Sequence, residues 1–273
     1  YDLALKAYLR AAGEQGFTVD VLSALGSANL HLGRLNQAEK LLRRQIELSE
    51  QMIAPASLAN ECVVLLHGMG RTSYSMNAIE DSLAKEHYTV INNSYPSTEQ
   101  DIQQLASVVG DGIAECKKAN AQSIHFVTHS LGGILVRQYF QNNVVAEAKR
   151  VVMLGPPNHG SEVATNKKDQ WWYKLATGPA GQQLGTEADS TPNQLKSIPL
   201  EIGIVAGTES LDPWFAGDLP KPNDGKVSVE SAKLAEMKDF ITVPHSHTFM
   251  ANADVVASQI KLFLQHGHFN HNP

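Results

Sequence analysis

Ser130 is the residue in this chain whose neighbours could turn a hydroxyl into a nucleophile. It stands in Thr128-His129-Ser130-Leu131-Gly132-Gly133, between an apolar run at 124–127 and a pattern in which Ile134, Leu135, Gln138 and Tyr139 recur at helical spacing. A serine on a sharp strand-to-helix turn projects its hydroxyl above a sheet, and compact residues two positions before and after it let strand and helix close up. Gly132 meets that need, whereas Thr128 replaces the usual first glycine. The amides at the start of the following helix favour negative charge beside the hydroxyl, which makes the Leu131 N–H a candidate oxyanion donor. The same residues also read as a plain helix start with Ser130 as its N-cap. Company elsewhere in the chain separates the two readings.

That company lies at the ends of other apolar runs. His67, Gly68, Met69 and Gly70 follow the run at 62–66, and the Met69 N–H is the natural second oxyanion donor. His67 is expected to orient this loop rather than to move protons. Asp224 sits in an Asn223-Asp224-Gly225 turn that would present a carboxylate to an imidazole, with Glu209 and Asp212 as rivals nearer the strand. After the last apolar run come His245 and His247, either of which would accept the proton of Ser130 as general base; spacing does not separate them. Serine, acid and histidine in this chain order, each after a successive strand, is the order of α/β-hydrolases.

The elements that must position these residues alternate. Strands are expected at 62–66, 88–92, 124–127, 151–154, 201–206 and 240–243, and helices at 73–86, 98–119, 131–142 and 254–266. Such alternation predicts a mainly parallel sheet of about six strands with helices on both faces, and functional groups beyond the carboxyl ends of the strands. The long interruption at 158–198, with Trp171 and Trp172, is expected to form a cap or lid over the site. Cys62 and Cys116 are far apart and lack metal spacing, so they are expected to be small buried thiols rather than a disulfide or a zinc site.

The first 54 residues differ, being rich in Ala, Leu, Gln, Glu and Arg. Ala4, Tyr8 and Ala11 are matched 34 positions later by Ala38, Leu42 and Gln45, with Leu22, Leu25, Gly26, Asn29 and Gly33 between them. That spacing is the length of a tetratricopeptide unit and predicts an α-helical, tetratricopeptide-like extension at 1–54, apart from a main domain at 61–273. The net charge of -6 excludes a basic nucleic-acid-binding face, and no apolar run is long enough to span a membrane. A cytoplasmic location is favoured, and the start at Tyr1 is expected to be a truncation.

From about residue 61 onward the chain resembles the α/β-hydrolase superfamily, in its bacterial lipase and esterase branch. HGMG at 67–70, THSLGG at 128–133, PPNHGSE at 156–162, NDGKVSV at 223–229 and SHTF at 246–249 are similar to that branch's motifs, in order. The resemblance implies Ser130 as nucleophile, Asp224 as acid, His247 as base and Met69 and Leu131 as oxyanion donors. It also implies that Asn158 and His159 border the substrate. The function implied is a serine carboxylester hydrolase acting on a small ester or lipid without metal or cofactor. Acyltransferase, thioesterase and amidase are alternatives on the same triad. A reading of another class makes the chain an interaction module that binds a protein partner through residues 1–52 beside a non-catalytic domain.

Overall fold

The computed structural model describes residues 19–43, 60–210 and 219–271. All six apolar runs become strands, because each is short and bounded by polar turns, the central ones buried and the two edge strands partly so. They are β1 (Glu61–Leu66), β2 (Thr89–Asn92), β3 (Ser123–His129), β4 (Ala148–Leu154), β5 (Glu201–Gly207) and β6 (Asp239–Val243). The strands pair in the order β2-β1-β3-β4-β5-β6, every pair parallel. Strands this buried need cover on both faces.

The expected helices supply that cover. Among the described residues of 60–273 the longer ones are α2 (Asn77–Lys85), α3 (Ser107–Lys118), α4 (Leu131–Tyr139), α5 (Glu162–Lys167), α6 (Trp171–Gln182) and α7 (Asp254–His266), with α1 (Val19–His31) preceding them. Right-handed crossovers place α2 and the returning α7 on one face and α3 and α4 on the other. Accordingly α3 packs on β1 and β2 and against α4, while α7 packs on β4 and against α2. The main core is built from alternate residues of the central strands, among them Val64, Leu66, Phe126 and Met153, closed by Leu105, Val109, Ile134 and Leu135. The order of connection reverses between β1 and β3, so a crevice opens above their carboxyl ends.

Cys62 and Cys116 are joined in a disulfide, which corrects the expectation of free buried thiols. Their separation of 54 residues carries no local signal. Topology makes the pair: α3 runs antiparallel to the strands it covers, so its last turn returns to the amino end of β1, where the two Cα atoms lie 5.7 Å apart.

Residues 1–59 form a compact unit of their own and 60–273 a second. In the first, α1 is followed by a turn with Gly33 at φ 71° and by a helix over 35–43. Leu25 and Ala28 are buried against Leu32 and Leu41. A repeat unit and a simple helical hairpin would share these features, and Ala4, Tyr8, Ala11 and Gln45 lie outside the described residues.

Candidate active site

Ser130 occupies the bend between β3 and α4 with φ 53° and ψ -118°, a strained region for a residue with a side chain. Its N–H donates to the Leu154 carbonyl of β4 at 2.9 Å, which holds the bend against the sheet. Gly132 is required by close approach: a Cβ there would stand 2.6 Å from the Leu66 carbonyl oxygen of β1. Thr128 fits where a glycine was expected because its side chain points into the protein and is fully buried.

The loop after β1 is rigidly held. His67 Nε2 accepts from the Tyr95 N–H at 3.2 Å and Nδ1 donates to the Gly68 carbonyl at 2.8 Å, so one neutral tautomer satisfies both contacts. The Tyr95 hydroxyl donates to the His67 carbonyl, and the two rings stack 3.9 Å apart. Burial pushes the His67 imidazole below its ordinary value, which suits the orienting role expected of it. Among the described residues the Met69 N–H has no acceptor, and Met69 lines the same cavity as Ser130, while Leu131 opens α4 directly after Ser130.

On the far side, Asp224 is only 2% exposed. Its Oδ1 accepts from the Lys226 and Val227 amides at 2.9 and 2.8 Å, and its Oδ2 from His247 Nδ1 at 2.7 Å. The turn that aims it is an Asx turn, in which Asn223 Oδ1 accepts from the Gly225 N–H while Gly225 takes φ 94°. Burial by itself would raise the Asp224 carboxyl. The His247 imidazole and the amides of Val227 and Lys226 overcome it and hold the group below the usual carboxylate value. An ionised carboxylate only accepts, so the His247 proton sits on Nδ1 and the Nε2 lone pair is left for another partner.

The choice between His245 and His247 falls on His247, which is buried and carboxylate-bonded; His245 lies at the strand end with its carbonyl facing Gly207. Glu209 is exposed, and Asp212 lies outside the described residues. Ser130 and His247 face one cavity of about 290 Å³. They make no direct hydrogen bond to each other, a looseness common in ligand-free sites.

His129, beside the nucleophile, reads in the sequence as packed rather than catalytic, and the structure packs it. It is buried, donates from Nε2 to the His247 carbonyl at 2.9 Å and packs its ring 4.7 Å from that of His247. Burial and the neighbouring His247 lower its pKa to about 3. Its position beside the nucleophile was the available signal, yet nothing local shows that a strand-end histidine will meet a loop more than a hundred residues away.

Asn158 and His159 do not border this cavity, a correction of where they were expected. Asn158 is fully buried: its side chain donates to the Ala232 carbonyl at 2.8 Å and accepts from Arg137 at 3.2 Å. His159 bonds Asn193 and opens into a separate hollow with Ser231 and Lys233. Their neighbours Pro157 and Ser161 are the ones that line the site. Tight turns alternate side chains between faces, so a motif locates such a wall only to within a residue.

Helices α5 and α6 come from the long insertion and wall the cavity through Val163, Ala164, Trp172, Tyr173 and Ala176. α6 is kinked at Gly178, where a Cβ would collide with the Thr98 carbonyl. Trp171 is instead exposed.

A family model described as palmitoyl protein thioesterase matches residues 62–190. A Bacillus licheniformis lipase in its mature form superposes with a TM-score of 0.64, at 21% identity over 76% of this chain and 91% of its own. This chain shares the α/β-hydrolase fold with that lipase. A metagenomic carboxyl esterase shares the hydrolase fold at a TM-score of 0.55 and 17% identity, covering 70% of this chain and 65% of its own. A Listeria innocua gene product does so at 0.53 and 15%, covering 78% and 96%. No curated protein matches the sequence at a significant level. The family model, together with neighbours of the same fold, supports a hydrolase of lipase, esterase or thioesterase type.

Proposed function

We propose that the protein is a serine carboxylester hydrolase working through an acyl-enzyme. The observation that carries this reading is the meeting of a strained Ser130, the Met69 loop and a carboxylate-held imidazole on one cavity. His247 Nε2 takes the Ser130 proton as the hydroxyl attacks the ester carbonyl, and the developing oxyanion is received by the Met69 and Leu131 amides. The tetrahedral species collapses as His247 returns the proton to the leaving oxygen. Water, activated by the same imidazole, then releases the acid. Asp224 keeps the proton on Nδ1 and stabilises the imidazolium that forms. No step needs a group that the chain does not supply.

A second reading, thioester hydrolysis on the same residues, is favoured by the palmitoyl protein thioesterase model over 62–190. The apolar wall from α5 and α6 suits an acyl chain in either case, and the insertion acts as a cap over it. A protein partner for residues 1–52 is a further proposal, supported by the helical turn-helix arrangement of 19–43.

The test is covalent. A fluorophosphonate probe should label the wild-type protein and fail to label Ser130→Ala, which should also lose at least about 10⁴-fold in hydrolysis of a short-chain aryl ester. Equal labelling of both would remove the nucleophile assigned here. A parallel series of matched esters and thioesters then ranks the two readings.

A further inference from the structure

The cavity has a charge asymmetry that the acyl-enzyme chemistry does not use. The wall from α5 and α6 is apolar, but Arg71 also lines the cavity and reaches Thr248, the residue after His247. Among the described lining residues there is no aspartate or glutamate. The Arg71 guanidinium donates only to the Thr248 hydroxyl, at a long 3.4 Å, and no described carboxylate pairs with it. The chain as a whole carries a charge of -6, so an exposed and uncompensated guanidinium at the mouth of the site runs against the general balance. A second cation, Lys226, lines the same cavity beyond Asp224.

The side on which Arg71 lies identifies what it would meet. His247 must hand its proton to the leaving oxygen, so the leaving group has to occupy the His247 side of Ser130. Val163, Ala164 and Tyr173, on α5 and α6, then take the acyl chain. Arg71 touches the residue directly after His247. Its start is fixed by the turn in which the Arg71 N–H donates to the Gly68 carbonyl at 3.3 Å, so the loop that offers the Met69 amide also delivers the guanidinium. A planar fork of donors is suited to the paired oxygens of a carboxylate or phosphate.

We infer that Arg71 is a specificity-determining residue, selecting acyl esters or thioesters whose leaving group carries a carboxylate or phosphate. The inference rests on the hydrolase reading above. It adds which half of the substrate is charged.

Two esters with one acyl group test it: 4-(butyryloxy)benzoate, whose leaving group is anionic, and its methyl ester, which is neutral. Each kcat/KM is divided by the rate of hydrolysis by hydroxide alone, which cancels the difference in leaving-group reactivity. The wild-type protein should favour the anionic ester by about tenfold at low ionic strength, carried mainly in KM, with the preference shrinking as salt screens the pair. Arg71→Gln should bring the ratio close to one, and Arg71→Lys should recover part of it. The ratio is internal to each preparation, so loss of folded protein does not disturb it. Should Arg71→Gln yield no active protein, the salt dependence of the wild-type ratio decides instead. An anion moved to the acyl end, as in 4-nitrophenyl hemisuccinate against the butyrate, should gain nothing. Hydrolysis of both benzoate esters with a wild-type ratio of one, or an unchanged ratio in Arg71→Gln, overturns this inference alone. Hydrolysis of neither overturns the hydrolase reading and this inference with it.

Discussion

Two polar clusters, one at the start of α4 and one built on its Arg137, have opposite fates. One contains Ser130, Asp224, His247 and His129; the other contains Arg137 and Asn158. In the second, Arg137 donates to the Asn158 carbonyl and side chain at 3.0 and 3.2 Å and to the Pro192 and Leu195 carbonyls at 3.3 and 3.1 Å. Every one of those acceptors is a neutral protein oxygen, none is a carboxylate, and neither Arg137 nor Asn158 lines the cavity that holds Ser130. Burial lowers the Arg137 pKa to about 10, so the guanidinium stays charged. The first cluster is as well buried, but its chain of hydrogen bonds ends in an open position: Asp224 satisfies His247 Nδ1, and Nε2 faces the cavity. A buried polar network is available for chemistry when one of its members is left a partner short on the side where a ligand can enter.

Reciprocal variants should break the symmetry between the clusters. Asp224→Asn keeps the shape but removes the acceptor that fixes the His247 tautomer, so the rate of ester hydrolysis should fall on the order of 10³- to 10⁴-fold with a small change in denaturation midpoint. Arg137→Met leaves four buried oxygens without donors, partly offset by release of a buried charge. A stability loss of about 2 to 4 kcal/mol is expected by urea titration, while the rate per fluorophosphonate-titrated site changes only severalfold. If Arg137→Met damaged the rate per site as Asp224→Asn does, the two clusters would be one functional unit.

A similar contrast separates the two ends of the sheet. The Cys62–Cys116 bond ties β1 to α3 at the amino ends of the strands, away from the site. Replacing both cysteines by alanine should cost about 3 to 4 kcal/mol on the loop-entropy account for a 54-residue separation, with the site-titrated rate preserved. Thiol titration of the denatured protein should count none before reduction and two after. Two free thiols without reduction would fit the cytoplasmic location favoured by the sequence; a persistent disulfide belongs to an oxidising setting.

What was legible in the sequence follows from the range over which each feature is determined. The strands were found to within three residues because burial of the central ones leaves a contiguous apolar run, and the 254–266 helix was found in full because its period survives from end to end. The turns that carry Ser130, Met69 and Asp224 were legible because a turn is specified by its own few residues. The contact of His129 with the His247 loop and the disulfide were not, since each joins positions that only the crossover topology brings together. Asn158 shows the same limit at shorter range. Its motif placed it near the cavity, but which way its side chain turns is decided by Arg137, a residue on another element.

His129 belongs to the first cluster by position and resembles the second in chemistry, and this makes it the finest test of the distinction. Its folded-state pKa of about 3 lies well below the ordinary value near 6.5 that it would regain on unfolding. Between those two values the unfolded chain binds a proton that the folded protein refuses, so stability falls as pH drops, by about 1.4 kcal/mol per pH unit for that proton. The stabilisation is fully present above pH 6.5. Asp224, also held below its ordinary value, gives stability that is lost only at lower pH, as the carboxylate protonates. A window from about pH 6 to 5 therefore samples the histidines first. His67 is lowered too and contributes in both proteins, so the difference between wild type and His129→Gln isolates one ring. The glutamine amide is a substitute donor to the His247 carbonyl, and the slope of stability against pH should fall by about one proton's worth. Equal slopes would mean that His129 takes up a proton in the folded state, and the enclosed character assigned to it would not stand.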